Sequence, residues 1–449
     1  MANNKYFDFK RSVMDPISPT YCAAKWYNAT IWLNHGKTVS CHHPSAHSID
    51  VEEIKTNPSA IHNTKTKKDL RQQMLNGERP SECKYCWDVE DLPTKQVSDR
   101  IFKTNIYSDE AIQESTLTAD ANVNLKTLEV SFDSTCNFAC SYCSPTFSTT
   151  WQNLSKKHGA FENIQDHSVF QYQSNSGLWD TEKTKKEENP YIKAFWEWWP
   201  ELTTSLQEIR ITGGEPLMSD DVWKLIDTFN NLPVDNKMKL AINTNMGAKD
   251  SIITRFVDVA KGSTGRRLNL FTSAEGVGTT AEFVRYGLDW QKWVTNCERF
   301  LELEPLSAFT IMTTINALSY DSLPDFCEHM LMWKTKYPHQ NIHLSLNILK
   351  YPRFLGIGVL DESFRKDVDD RLSLIAQDPR WDLAEKAGFD RLLEYSRSSN
   401  EPEYLKSDLK SFVLQYAERT GNPVTMLSTS LQQWLDGIIF KKIIPIRTI

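Results

Sequence analysis

The chain has 449 residues, of which 40% are hydrophobic, enough for a substantial core spread over two or three domains. Its formal net charge of −7 gives no support for broad nucleic-acid binding, and no apolar stretch approaches a membrane span. The opening Met-Ala-Asn-Asn-Lys-Tyr-Phe-Asp-Phe-Lys lacks the apolar core of a signal peptide, so a cytoplasmic location is expected. In reducing surroundings nine cysteines, an odd count, point to metal ligation rather than to disulfides.

Residues 1–125 are polar and carry a cysteine pattern of their own. Cys22 precedes the aromatic and β-branched run Trp-Tyr-Asn-Ala-Thr-Ile-Trp-Leu, Asn34-His35-Gly36-Lys37 reads as a hairpin turn, and Thr38 to Cys41 begins a return strand. A helix is expected over Thr66 to Leu75, ending at Asn76-Gly77 with Pro80 beyond, and Cys83-Lys-Tyr-Cys86 follows it. Cys22, Cys41, Cys83 and Cys86 can therefore supply four thiolates to one closed metal centre; spacing alone does not separate zinc from a fully ligated 4Fe-4S cluster. His42, His43 and His47 stand beside Cys41, but a solvated or core histidine is the commoner fate of such residues, and they are left out of the ligand set.

From about residue 126 strands and helices alternate, the signature of a parallel α/β layout. The strands are expected at Leu128 to Phe132, Glu208 to Thr212, Lys239 to Asn243, Leu268 to Ser273, Thr310 to Ile315 and His343 to Ile348. Helices are expected at Asp221 to Asn230, Ile252 to Ala260, Ala281 to Phe300 and Pro324 to Trp333. The polar stretch from about 158 to 188 interrupts the pattern as an inserted loop. Beyond Gly358 the chain reads as helices at Glu362 to Gln377, Trp381 to Arg397, Leu405 to Thr420 and Leu427 to Phe440, with an apolar tail too short and too charged to cross a bilayer. Cys297 and Cys327 sit inside helical patterns as buried structural thiols, and the tryptophan-dense Ala194 to Pro200 as helix packing.

At the exit of the first of these strands lies Cys136-Asn-Phe-Ala-Cys140-Ser-Tyr-Cys143. Three thiolates within eight residues can converge on one inorganic cluster. A 4Fe-4S cube held by three cysteines leaves one iron open, as catalytic metal centres require. A zinc knuckle or a cluster of buried thiols is the plainer alternative, but zinc prefers four closed ligands and the closest downstream histidine is His158.

The Cys-x3-Cys-x2-Cys spacing, with Tyr142 before the last cysteine, resembles the signature of the radical S-adenosylmethionine (SAM) superfamily. The resemblance implies that the open iron is chelated by SAM and that an external electron donor, such as flavodoxin or ferredoxin, drives cleavage of the sulfonium to a 5'-deoxyadenosyl radical. It implies an α/β fold, a partial (β/α)6 TIM-like barrel over 126–355, with C-terminal helices over 356–449. The cysteine pattern of 1–125, with "LRQQMLNGERPSECKYCWDVED" in it, looks like a twitch/SPASM-type auxiliary module placed before the barrel, which implies a second 4Fe-4S cluster on Cys22, Cys41, Cys83 and Cys86.

Within the same resemblance, Gly213-Gly214-Glu215 looks like the motif that holds the SAM amino group, and Thr244 and Asn245 stand where ribose contacts are common. Ser273, Glu275 and Arg285 resemble a Ser-x-Asp/Glu-Gly element with a downstream Arg, near the SAM carboxylate or ribose, although Glu275 stands where many relatives have Asp. Tyr142 is expected near the adenine. The substrate is expected to be a peptide by analogy; a small molecule, sugar or nucleoside, and a non-catalytic metal-stabilised binding protein, are the rival expectations.

Overall fold

In the computed structural model, residues 2–94, 96–107, 118–166, 189–233, 236–262 and 264–439 are described. The expected 158–188 loop lies, from 167 onward, outside them, as does the end of the apolar tail. The fold is mixed α/β with a large, mostly parallel sheet. None of the described helices is long and apolar enough to cross a membrane.

The chain divides into two compact units, and the division differs from the 125/126 boundary expected from sequence. The first unit comprises Met1–Asp133, Thr181–Gly213 and Asp235–Leu240. Its strands are β1 (Asn28–Trp32), β2 (Lys37–Val39), β3 (His47–Ser48), β4 (Thr127–Ser131) and, after β5 (Ala139–Cys140) of the other unit, β6 (Glu208–Thr212). β1 and β2 form the expected hairpin, and the turn between them contains Gly36 at φ +58°. β1 also pairs in parallel with β4, and β4 with β6, so the N-terminal hairpin continues the strand run that begins the expected barrel. This register is why the two segments group together.

In β4 and β6 burial alternates along most of the strand, as for strands covered on unequal faces. Helix Pro190–Leu202 covers this sheet with Phe195, Trp198 and Trp199 buried, and Phe195 meets Phe132 edge-on at 5.1 Å. The tryptophan cluster is packing, as its helical spacing suggests.

The second unit holds Ser134–Asp180, Gly214–Val234 and Ala241–Ile449. The unit boundary falls inside β7 (Lys239–Asn243), followed by β8 (Leu268–Thr272), the two-residue β9 (Arg285–Tyr286), β10 (Ala308–Ile315) and β11 (Ile342–Ile348). β10 pairs in parallel with β8 on one side and with β11 on the other. Cys297 and Cys327 are fully buried, in helices Trp290–Leu301 and Leu323–Lys336.

One expected helix is two. Ala281 to Phe300 is interrupted between Gly278–Val284 and Trp290–Leu301, because Arg285 and Tyr286 leave the helix to pair with Cys140 and Ala139. Gly287 makes the turn at φ +104°, where a Cβ would stand 2.7 Å from the Asn137 carbonyl oxygen. A helical periodicity does not register a break whose cause is a strand pairing some 145 residues away.

Candidate metal and cofactor sites

The Cys136 to Cys143 loop is held by its backbone carbonyls. Ser148 caps helix Thr149–His158 and donates to Phe138 O at 2.6 Å; Thr150 Oγ1 donates to Cys136 O at 2.7 Å; Trp151 Nε1 donates to Cys140 O at 2.8 Å. From the C-terminal helix Tyr404–Thr420, Tyr416 Oη donates to Ala139 O at 2.7 Å and accepts from Tyr286 N at 3.3 Å. The carbonyls of Cys136, Phe138, Ala139 and Cys140 are thus each held by a side-chain donor, as enclosed backbone groups require. Tyr416→Phe should take this partner from the buried Ala139 carbonyl and the half-buried Tyr286 N–H and cost about 1–3 kcal/mol in a denaturation experiment.

Around the sulfurs, donors point inward. Phe138 N lies 3.4 Å and Asn245 Nδ2 3.9 Å from Cys136 Sγ, and Arg285 Nη1 lies 3.6 Å from Cys140 Sγ. Burial pushes all three thiols above their ordinary pKa, Cys143 to about 12, so a metal taking these sulfurs as thiolates releases protons.

Gly214 packs against the entry to this loop: a Cβ there would stand 2.2 Å from Thr135 O, and Glu215 N donates to the same oxygen at 2.6 Å. Gly213 ends the preceding unit at φ +123°, where a Cβ would meet Ser131 Oγ at 2.6 Å. The paired glycines thus serve close backbone packing whatever else they do. Glu215 is 1% exposed. Its Oε1 accepts from Thr244 Oγ1 at 2.7 Å and Leu217 N at 3.1 Å, its Oε2 from Asn245 N at 2.6 Å. Burial still outweighs these donors and raises the carboxyl to about 7. Asn245 continues the chain of contacts to Asn137 Oδ1 at 2.9 Å.

Glu275 and Arg285 are buried and paired. Arg285 Nε and Nη2 donate to the two Glu275 oxygens at 2.7 and 2.6 Å, and Tyr142 Oη donates to Glu275 Oε1 at 2.6 Å. Ser273 is half-buried just past β8. The structure therefore brings Cys136, Asn245, Thr244 and Glu215 into one hydrogen-bonded string and Cys140, Arg285, Glu275 and Tyr142 into another.

In the first unit, taken by itself, Cys22, Cys41, Cys83 and Cys86 all line one cavity. Cys22 precedes the short helix Ala24–Tyr27, Cys41 follows β2, and Cys83 and Cys86 lie at and just inside the start of helix Lys84–Glu90. Lys25 and Arg100 line the same cavity. Lys25 is ion-paired with Glu82, and Arg100 forks onto Glu90 at 2.6 and 2.9 Å while donating to Tyr21 O at 2.6 Å. Burial is the main cause that raises Cys22, Cys83 and Cys86, the latter two to about 12. His43 reaches the cavity lining, but its Nε2 is engaged by Asp99 at 2.7 Å. His47 bonds Thr64 and His42 bonds Lys103.

Ligand spacing bears on the metal. A tetrahedral zinc with bonds of about 2.3 Å sets its sulfurs about 3.8 Å apart. Among the described residues, the group of three His, Cys, Asp or Glu ligand atoms lying within 4.8 Å of one another is His343, Asp382 and Glu385, and neither cysteine set has that spacing. The His343 group itself is a helix capping box: Asp382 and Glu385 exchange backbone bonds, and Lys334 Nζ lies 2.9 Å from Glu385.

Sequence reasoning missed Ser148, Thr150, Trp151, Asn137, Tyr416, Lys25 and Arg100. Ser148 carried a signal, since Ser-Thr-Thr-Trp after the cysteine loop is an N-cap followed by a helix. Tyr416 carried none, being 277 residues from the carbonyl it holds.

No family model matches the chain, and no curated protein matches it. Solved structures do. Streptococcus suis SuiB bound to S-adenosylmethionine is 12% identical, with 76% of this chain and 67% of that chain covered at a TM-score of 0.36. SuiB bound to precursor peptide SuiA is 11% identical, covering 78% and 68% at 0.35. Native anSMEcpe with bound AdoMet is 15% identical, covering 61% and 62% at 0.31. At such TM-scores function is not carried across from them.

Proposed function

We propose that this chain is a radical SAM enzyme in which Cys136, Cys140 and Cys143 hold a 4Fe-4S cluster with one open iron. The observation that carries the reading is the pre-set cysteine loop with a buried carboxylate, Glu215, tied to it through Asn245. The fit is chemical: three thiols near enough to raise one another's pKa, with N–H donors aimed at two of the sulfurs. Cys136, Cys140 and Cys143 would hold the cluster, and the chemistry it would supply when reduced is the electron for cleaving the SAM sulfonium to methionine and a 5'-deoxyadenosyl radical able to take a hydrogen atom from substrate.

The chain's own residues bind and orient. Glu215, raised to about 7, ionises readily beside an ammonium group and so selects a cationic amine. Thr244 and Asn245 hold that carboxylate in place, and Ser273 is a candidate hydroxyl for the carboxylate or ribose. Tyr142, tied at its hydroxyl to Glu275 and with the Arg285 guanidinium 5.6 Å from its ring centroid, is the aromatic residue for the adenine. Cys22, Cys41, Cys83 and Cys86 hold a second, fully ligated 4Fe-4S cluster, with Lys25 and Arg100 offsetting its negative charge. A peptide is the substrate favoured by the resemblance to SPASM/twitch proteins, an analogy and not a geometric argument.

Anaerobic reconstitution with iron and sulfide, followed by reduction in the presence of SAM, should yield 5'-deoxyadenosine by chromatography and mass spectrometry. A preparation with a full first site that makes none sinks the reading. Deuterium passing from labelled candidate peptides into 5'-deoxyadenosine identifies the substrate class.

A further inference from the structure

We infer that Arg285 is a positioning residue for the first cysteine set, presenting a fixed donor and a positive charge to the Cys140 sulfur, so that the reduction equilibrium at that site depends on it even without SAM. The inference rests on the reading that Cys136, Cys140 and Cys143 hold an iron–sulfur cluster. It adds a role for a residue that the motif resemblance assigns to SAM alone.

The geometry leaves Arg285 little freedom. Its backbone is paired with Cys140 across the short β5–β9 ladder. Two of its nitrogens, Nε and Nη2, are committed to Glu275, and the remaining one, Nη1, reaches Cys140 Sγ at 3.6 Å. Glu275 is pinned in turn, because Oε1 also accepts from Tyr142 Oη at 2.6 Å and Thr314 N at 3.4 Å. The side chains of Arg285 and Glu275 are 8% and 0% exposed, so water does little to screen the guanidinium from the sulfur.

The three sulfurs are not equivalent. Cys136 receives neutral donors, Phe138 N and Asn245 Nδ2, and Cys143 Sγ lies 3.8 Å from the Ser144 carbonyl. Cys140 has the charged one. The glutamate at 275, in a place where the resemblance has many aspartates, acquires a reason. Its longer side chain spans to the guanidinium fork and the Tyr142 hydroxyl together, and aspartate would fall one methylene short.

A redox titration of the reconstituted full chain, without SAM and followed by electron paramagnetic resonance, tests this. The first site is identified as the signal that changes when SAM is then added. Arg285→Met should lower the reduction equilibrium constant roughly tenfold, a midpoint about 59 mV more negative for a one-electron couple. Arg285→Lys, which keeps the charge, should return it to within about threefold of the wild type. A residue that merely supports the fold would not produce a charge-dependent rescue.

A midpoint for Arg285→Met equal to wild type, or for Arg285→Lys equal to Arg285→Met, overturns the inference. Should Arg285→Met take up no iron, Glu275→Gln decides. Removing the carboxylate leaves the guanidinium charge unbalanced and should raise the constant more than about threefold, and no change overturns the inference. A wild-type chain with no SAM-sensitive signal defeats the cluster reading instead, which keeps the two failures apart.

Discussion

Replacing Cys136, Cys140 and Cys143 together by alanine should abolish 5'-deoxyadenosine formation while leaving about half of the bound iron, because the two proposed clusters draw on separate cysteines in separate units. The complementary variant, Cys83→Ala with Cys86→Ala, should lose the other half of the iron and still cleave SAM when reduced. Removing the ligands is not a graded perturbation: with none of its three thiolates left the cube has no seat, so the loss should exceed about a thousandfold, as for other groups on which a whole reaction depends. Iron analysis with the product assay reads both halves. If the first variant keeps all its iron, or the second stops cleaving SAM, the division of labour between the cysteine sets is wrong.

The second large effect is a pH dependence centred on Glu215. Its carboxyl, 1% exposed, is raised by burial from an ordinary value of 4.5 to about 7. The sign follows from linkage. The folded chain holds this proton more tightly than the unfolded chain, so its contribution to stability is fully present below pH 4.5 and is lost as pH rises through 7. Between pH 5 and pH 8 the loss amounts to about 2.5 kcal/mol.

Glu215→Gln removes the titration. It carries a constant offset, since the amide turns a donor toward Asn245 N, but its stability should not share the wild-type decline. Denaturation of the metal-free, reduced chain at several pH values checks the difference, and the infrared band of a protonated carboxyl should vanish with a midpoint near pH 7 in the wild type alone. Parallel profiles for the two proteins contradict the assignment. SAM, whose ammonium would stand against this carboxylate, should shift the midpoint downward in the reconstituted enzyme.

Some of this chemistry was written locally. Six strands of the α/β run, the hairpin of β1 and β2 and the helix before Cys83 are legible because apolar alternation, turn residues and caps act over a few residues. Both cysteine sets are legible as candidates for the same reason: closely spaced cysteines stand out in the sequence itself. Cys22, far from the other three in sequence, lines the cavity with them.

Other features depend on pairings that no local pattern encodes. β1 lies parallel to β4, drawing the N-terminal hairpin into the same unit as two strands of the expected barrel. Arg285 leaves a helical pattern to pair with Cys140, and its side chain turns to Glu275 and a sulfur. Tyr416 reaches back to Ala139 from the C-terminal helix. The sequence by itself determined which atoms could bind metal, since thiol spacing is a property of neighbouring residues. Only the tertiary structure decided which charges and donors face those atoms, because hydrogen bonds between residues hundreds of positions apart exist only once the chain has folded.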